Sequence, residues 1–174
     1  MIFQDPFASL NPRLTIERTL IEPLFIHNLA DNRQHAKQQI ASMLEQVGLD
    51  ESAMKRHPHE FSGGQRQRIG IARVMILKPQ LIIADEAVSA LDVSIQAQVL
   101  NLIRQLQQTY NLSMLFISHD LGVVRHISDR VAVMYQGKIV ETADPQRVFD
   151  QPQHEYTKHL LKAIPRVPTR QKAS

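Results

Sequence analysis

The chain has 174 residues, 43% of them hydrophobic and 21% charged, which fits a folded domain with its own core and excludes a disordered segment. A formal charge of +3 and a pI near 9.4 permit anionic partners such as nucleotides, nucleic acid or a lipid surface, and select none of them. Cysteine is absent, which excludes disulfides, thiolate metal sites and iron–sulfur clusters.

In chain order, residues 1–13 read as a strand end followed by a loop, because Pro6 and Pro12 bar a helix and Ser9 and Asn11 favour turns. The start, Met1-Ile2-Phe3-Gln4-Asp5-Pro6, has neither the basic region nor the apolar core of a secretory signal. Thr15 to His27 reads as a helical stretch interrupted near Pro23. Gln34 to Val47 is a clearer helix: Ile40, Met43, Leu44 and Val47 share one face, and Gly48 is its stop. Arg56 to Glu60 reads as a loop. A further helix opens at Phe61-Ser62-Gly63-Gly64 and runs to about Leu77, ended by Pro79.

Leu81-Ile82-Ile83-Ala84 is a continuous apolar run that predicts a strand buried on both faces of a parallel sheet. Val74 to Ala84 is the most apolar stretch of the chain, but Lys78-Pro79 breaks it and it is far too short to cross a bilayer. Ser94 to Gln108 carries the stripe Ile95, Val99, Leu102, Ile103, Leu106 and predicts a helix. Ser113 to Ser118 reads as a second buried strand and Leu121 to Ile127 as a short helix. Val131–Tyr135 and Lys138–Glu141 flank Gln136-Gly137, a hairpin signal. Pro145–Asp150 and Glu155–Ile164 read as terminal helices, followed by a polar tail after Pro165. Helical character before residue 78 and strand–helix alternation after it predict an α/β core with a helical subdomain ahead of it.

The chemistry-bearing residues each have two readings. Asp85 and Glu86 end a strand where ligands of parallel sheets sit, so one acid can hold Mg²⁺ and the other can activate a water; they can equally form an acidic turn. Ser62-Gly63-Gly64-Gln65 can present backbone N–H groups and a helix dipole to an anion, or Ser62 can simply cap the helix. His119, after the second strand, can touch a phosphate or a water, or be a strand-end histidine with a satisfied hydrogen bond. Gln4 near a strand end and Asp92 before a helix are weaker signals alone, and Asp92 can serve as a cap.

Taken together, in this order and at this spacing, these elements resemble the ATP-binding cassette (ABC) ATPases. Gln4 in Phe3-Gln4-Asp5-Pro6 resembles the Q-loop, and Phe61-Ser62-Gly63-Gly64-Gln65-Arg66-Gln67-Arg68 the family signature. Asp85-Glu86 resembles the end of the Walker B strand, Ser89-Ala90-Leu91-Asp92 the D-loop, and His119 in Ile117-Ser118-His119-Asp120 the switch histidine. The stretches Ile2–Arg13, Ser89–Gln98 and Gln153–Leu161 are similar to the ATPases that power dipeptide, oligopeptide and glutathione import. His154 and His159 in the last stretch read as a solvated helix face rather than a metal site.

The resemblance implies an incomplete P-loop NTPase core with an inserted helical subdomain. Residues 1–78 would be the Q-loop and helical subdomain ending in the signature helix, residues 79–144 a partial ATPase core, and residues 145–174 the C-terminal helices and tail. It implies ATP and Mg²⁺, with Ser62, Gly63, Gly64 and Gln65 at the γ-phosphate held by a partner and Asp92 signalling across the dimer. Asp85 and Gln4 would lie at the metal, Glu86 would polarise the attacking water, and His119 would contact the γ-phosphate. Ala87, where many members have proline, is a departure expected to have only a local effect.

The implied partners are a second ATPase subunit, transmembrane permease subunits and, indirectly, a solute-binding protein, at the cytoplasmic face of the membrane and without nucleic acid. The motif G-x-x-x-x-G-K-[ST] occurs nowhere in the chain, and the family's P-loop lies before the Q-loop. The expectation is therefore a chain truncated ahead of the Q-loop, inactive alone, with strand edges left open where the P-loop strand would pair. The alternatives are an inactive truncated product and a non-transport ATPase of the same type that acts on nucleic acid.

Overall fold

The computed structural model describes residues 1–4 and 10–163. Residues 5–9 of the Q-loop-like stretch, with Pro6 and Ser9, and the tail from 164 onward lie outside the described residues. Internal contacts divide the chain into two compact units, Met1–Ser118 and His119–Ser174.

The first unit begins with helices. Helix α1 spans Ile16–Ile26, with the Thr15 hydroxyl accepting from the Arg18 N–H at its start. Pro23 lies inside it, so the expected interruption does not occur. A mid-helix proline costs about 3 kcal/mol. Ile16, Leu20 and Leu24 are completely buried, and burial contributes roughly 1.5–3 kcal/mol for each such side chain, which outweighs the loss. Helix α2, Arg33–Gln46, is capped by Asn32, whose side chain accepts from the His35 N–H at 2.9 Å. Ile40, Met43, Leu44 and Val47 are all buried, as their spacing requires.

Two 3₁₀ turns follow, Glu51–Lys55 and Pro58–Glu60. The second replaces the expected loop: the Glu60 carboxylate turns back to accept from the His57 N–H at 2.6 Å. Helix α3 runs Gly63–Met75. Its Arg68 ties three helices, donating to the Val47 carbonyl at 3.0 Å and to the Gln98 side chain at 3.2 Å. Strand β1, Leu81–Asp85, leads through helix α4, Val93–Tyr110, to strand β2, Ser113–Ile117. The two strands pair in parallel, from Leu81 opposite Ser113 to Asp85 opposite Ile117. On the other edge of β1, Ile2 bridges to Ala84 in parallel, its N–H on the Ile83 carbonyl and its carbonyl on the Asp85 N–H. The apolar stripe of α4, from Val99 to Leu106, is buried.

Both strands are less buried than their apolar runs suggest. In β1 only Ile82 and Ala84 are buried, and Leu81 is 59% exposed. In β2 Leu115 is 53% and Ile117 45% exposed. The described sheet has β1 and β2 as its strands, with Ile2 beyond β1, so β2 keeps an edge without a strand. An apolar run indicates a strand, but only layers on both faces can bury it.

The second unit contains helix α5, Leu121–Ile127, a hairpin of β3, Val131–Tyr135, and β4, Lys138–Ala143, then α6, Pro145–Asp150, and α7, Glu155–Lys162. Gln136 and Gly137 form the turn with φ of 48° and 75°, the left-handed pair that a two-residue hairpin needs. Val131, Val133 and Val148 form a small core against which Val124, Val140, Phe149 and Tyr156 pack. Glu141 holds α7 in place: its carboxylate accepts from the N–H groups of Gln153 at 2.9 Å and His154 at 3.0 Å.

Candidate phosphate-handling site

Ser62 is the N-cap of α3. Its hydroxyl accepts from the Gln65 N–H at 3.3 Å, and the Gln65 side chain accepts from the Ser62 N–H at 3.0 Å. This reciprocal box realises the capping reading in full. It does not use up the residue, because the Ser62 hydroxyl accepts there and keeps its proton to donate, and Ser62 is exposed. Gly63 sits over Leu91, and Gly64 is buried against Ile95 so tightly that a Cβ there would collide with the Ile95 Cγ2. The absence of a side chain at Gly64 thus serves packing, while the two glycines together bare the first turn of a helix whose dipole favours anions.

Asp85 closes β1 and Glu86 follows it. Glu86 has φ of 47°, a left-handed conformation in which a non-glycine residue is strained. Three hydrogen bonds hold it there. Its N–H donates to the Ile117 carbonyl of β2 at 2.9 Å, and its carbonyl accepts from the Ser89 N–H at 3.1 Å and from the Ser89 hydroxyl at 2.9 Å. That hydroxyl also lies 3.4 Å from the Glu86 carboxylate. One residue further, the Ala87 carbonyl accepts from the Gln67 side-chain amide at 2.5 Å.

Gln4 stands two residues beyond the Ile2 bridge, and Glu86 two residues beyond its partner Ala84, so parallel register carries both to one end of the sheet. Asp92 occupies the N-cap of α4, but its side chain makes no capping hydrogen bond, so the capping reading fails there. His119 belongs to the second unit, exposed and just ahead of Asp120, which caps α5 through the Gly122 and Val123 N–H groups. His154 is a cap rather than part of a solvated face: its Nδ1 accepts from the Tyr156 N–H at 3.1 Å.

The first unit therefore brings Ser62, Gly63, Gly64, Gln65, Asp85, Glu86 and Asp92 into one body. Two participants, Gln67 and Ser89, lie within the signature-like and D-loop-like stretches but carried no role of their own in the sequence reading. The signal for Gln67 was available, since it is a polar residue on the stripe Gly64, Ile71, Met75 that α3 buries. A cavity of about 750 Å³ lies between Ile2, Phe3, Pro23, His27, Arg73 and Val74, and neither Ser62 nor Glu86 lines it. Among the described residues no group of three or more His, Asp or Glu could hold a metal ion unaided. A single carboxylate beside phosphates and waters is what Mg²⁺ usually takes, so Asp85 fits that ion as one ligand or through water.

A sequence model of the family described as ABC transporter matches residues 1–89, half of the chain. The chain belongs to the ABC transporter family. Over 165 residues, 95% of its length, it is 58% identical to the oligopeptide transport ATP-binding protein AppF of Bacillus subtilis and 56% identical to the OppF protein of Escherichia coli. It is likewise 56% identical to the glutathione import ATP-binding protein GsiA of Pectobacterium atrosepticum. This ABC chain spans about half the length of the oligopeptide relatives, 50% and 49%, and 26% of GsiA. Among solved structures it superimposes on cbiO1 of Clostridium perfringens, part of the ABC transporter complex cbiONQ. The TM-score is 0.76 at 24% identity, over 86% of this chain and 58% of that one. The expected fold class is borne out: this is part of an ABC ATPase core carrying a helical subdomain.

Proposed function

We propose that this chain forms the signature and catalytic-carboxylate part of an ATP-hydrolysing subunit that energises peptide import. The observation that carries the reading is the bare, capped N-terminus of α3 in the same unit as the restrained acid turn Asp85-Glu86. In the proposed reaction Ser62 and the Gly63, Gly64 and Gln65 backbone bind the γ-phosphate of an ATP held on a partner subunit. Glu86 orients the attacking water and accepts its proton, and Gln4 orients that water from the sheet end. His119 contacts the γ-phosphate, and Asp92 faces the partner subunit. Mg²⁺, held at Asp85 and near Gln4, supplies charge neutralisation on the phosphates when bound. The work is positioning and charge stabilisation, which suits residues gathered from separate loops.

The sequence contains no G-x-x-x-x-G-K-[ST], so the phosphate cradle of a complete site comes from outside these 174 residues. The import reading draws on the names of relatives at 56–58% identity. It places the chain, by proposal, beside a second ATPase subunit and permease subunits at the cytoplasmic face of the membrane, with residues 1–78, 79–144 and 145–174 as its functional parts. No helix among the described residues is long and apolar enough to cross a membrane, which suits a peripheral subunit.

The test is ATP-driven uptake of labelled oligopeptide by vesicles carrying the complete assembly, with and without Glu86→Gln in this chain. Uptake that needs ATP and stops in the variant is expected. Uptake indifferent to both, or salt-sensitive DNA binding by the chain in place of uptake, contradicts the proposal.

A further inference from the structure

We infer that Gln67 is a positioning residue for Glu86, through which the signature helix sets the orientation of the catalytic carboxylate. This rests on the reading of Glu86 as the group that accepts the water's proton.

Gln67 is 2% exposed, and its amide donates to the carbonyl of Ala87, which is 1% exposed. A carbonyl can only accept, so the amide nitrogen faces it. A buried carbonyl without a partner is costly, so this bond fixes the peptide that leaves Ala87. The residue before it, Glu86, is held in the left-handed region. Its own N–H is fixed to β2 through Ile117, and its carbonyl is fixed by Ser89. Gln67 supplies a further restraint, on the downstream side, and this one originates in helix α3. That helix begins at Ser62 and Gly63.

The consequence is directional. Gln67 stands on the second turn of α3, one turn beyond the residues proposed to meet the γ-phosphate. Movement of the helix start on phosphate engagement is then transmitted by Gln67 to the Ala87 peptide, and from there to the backbone that aims Glu86. Strain of this kind persists only where the surroundings over-determine it. Removal of one restraint lets the turn relax while Glu86 stays in the chain.

The experiment compares wild type with Gln67→Met, which keeps length and apolar volume but removes the donor, in the complete ATPase assembly. Misplacement of a reacting group costs on the order of 10- to 100-fold in rate, so kcat is expected to fall by that factor. KM for ATP is expected to stay within about twofold, since the ground-state phosphate contacts are untouched, and the melting temperature is expected to fall only modestly, because the Ala87 carbonyl loses its buried partner. An unchanged kcat overturns the inference. So does a kcat loss matched by a rise in KM of similar size, which marks a merely structural residue.

Hydrogen exchange at the Ser89 amide, which donates to Glu86, separates this from the functional reading. Faster exchange in Gln67→Met supports the restraint even if Glu86→Gln leaves hydrolysis intact, a result that would sink only the role given to Glu86. Unchanged exchange overturns the restraint itself.

Discussion

Gly64 lies against Ile95 at a distance that leaves no room for a Cβ. The glycine of the signature is therefore a packing residue as well as a proposed phosphate contact, and the two roles separate experimentally. Gly64→Ala gains helix propensity of about 1 kcal/mol, but overpacking costs about 1–3 kcal/mol, and the β-branched Ile95 yields poorly. Net destabilisation in denaturant unfolding is expected, with recovery in the double variant Gly64→Ala, Ile95→Ala. Equal midpoints for Gly64→Ala and wild type would leave phosphate contact as the only role of this glycine.

Gln136 is a poor choice for its place in the β3–β4 turn. It adopts φ of 48° beside Gly137 at 75°. Left-handed backbone costs an ordinary residue roughly 1–2 kcal/mol, and asparagine is the side chain that tolerates it. Gln136→Asn is expected to stabilise the second unit by up to about 1 kcal/mol, read as a higher urea midpoint. A lower midpoint would mean that the turn is not the left-handed pair described here.

Glu141 gives the second unit a pH dependence. Burial raises its pKa, but hydrogen bonding lowers it further, and the net result lies below the ordinary value. The donors are the Thr157 hydroxyl, whose geometry falls short of a full hydrogen bond, and the Gln153 and His154 N–H groups. A lowered acid stabilises the fold fully above the unfolded value, about 4.3, and loses that contribution as pH falls through the folded value. The α7 contacts are therefore expected to loosen only in acid, as pH falls below the ordinary range of a glutamate carboxyl. Glu141→Gln should flatten that part of the stability profile. Tyr156, which stacks on Tyr135 with centroids 4.1 Å apart, offers the spectroscopic probe.

The sequence makes the helices legible because each buries a stripe at helical spacing, as α2 does with Ile40, Met43, Leu44 and Val47. It overstates Pro23, since a local penalty is visible in sequence and the compensating burial of Leu20 and Leu24 is not. It overstates the burial of β2 for a related reason: Leu115 and Ile117 are apolar whether or not anything covers them. At the site, the places of Ser62 at a helix start and of Glu86 past a strand follow from motif and pattern. The left-handed Glu86 and its tie to Gln67 do not, because that contact joins residues twenty apart in the chain and is made by backbone on one side.

The exposed face of β2 has a solution consequence. Leu115 and Ile117 project on one side of a strand whose outer edge pairs with no strand among the described residues, a combination that recruits other chains. The chain by itself is expected to self-associate in sedimentation experiments, and Leu115→Lys to reduce that association without lowering the melting temperature. A cooperative melt from a wild-type monomer that stays soluble would contradict this.

The central claim is that Glu86, on its restrained turn, does the chemistry while the signature helix does the binding. The most direct test measures ATP binding and ATP hydrolysis side by side in the complete assembly carrying Glu86→Gln. Removal of a general base typically costs about 10²- to 10⁴-fold in rate, so hydrolysis is expected to collapse by that factor with ATP affinity preserved. Hydrolysis at the wild-type rate in that variant would contradict the account at its base.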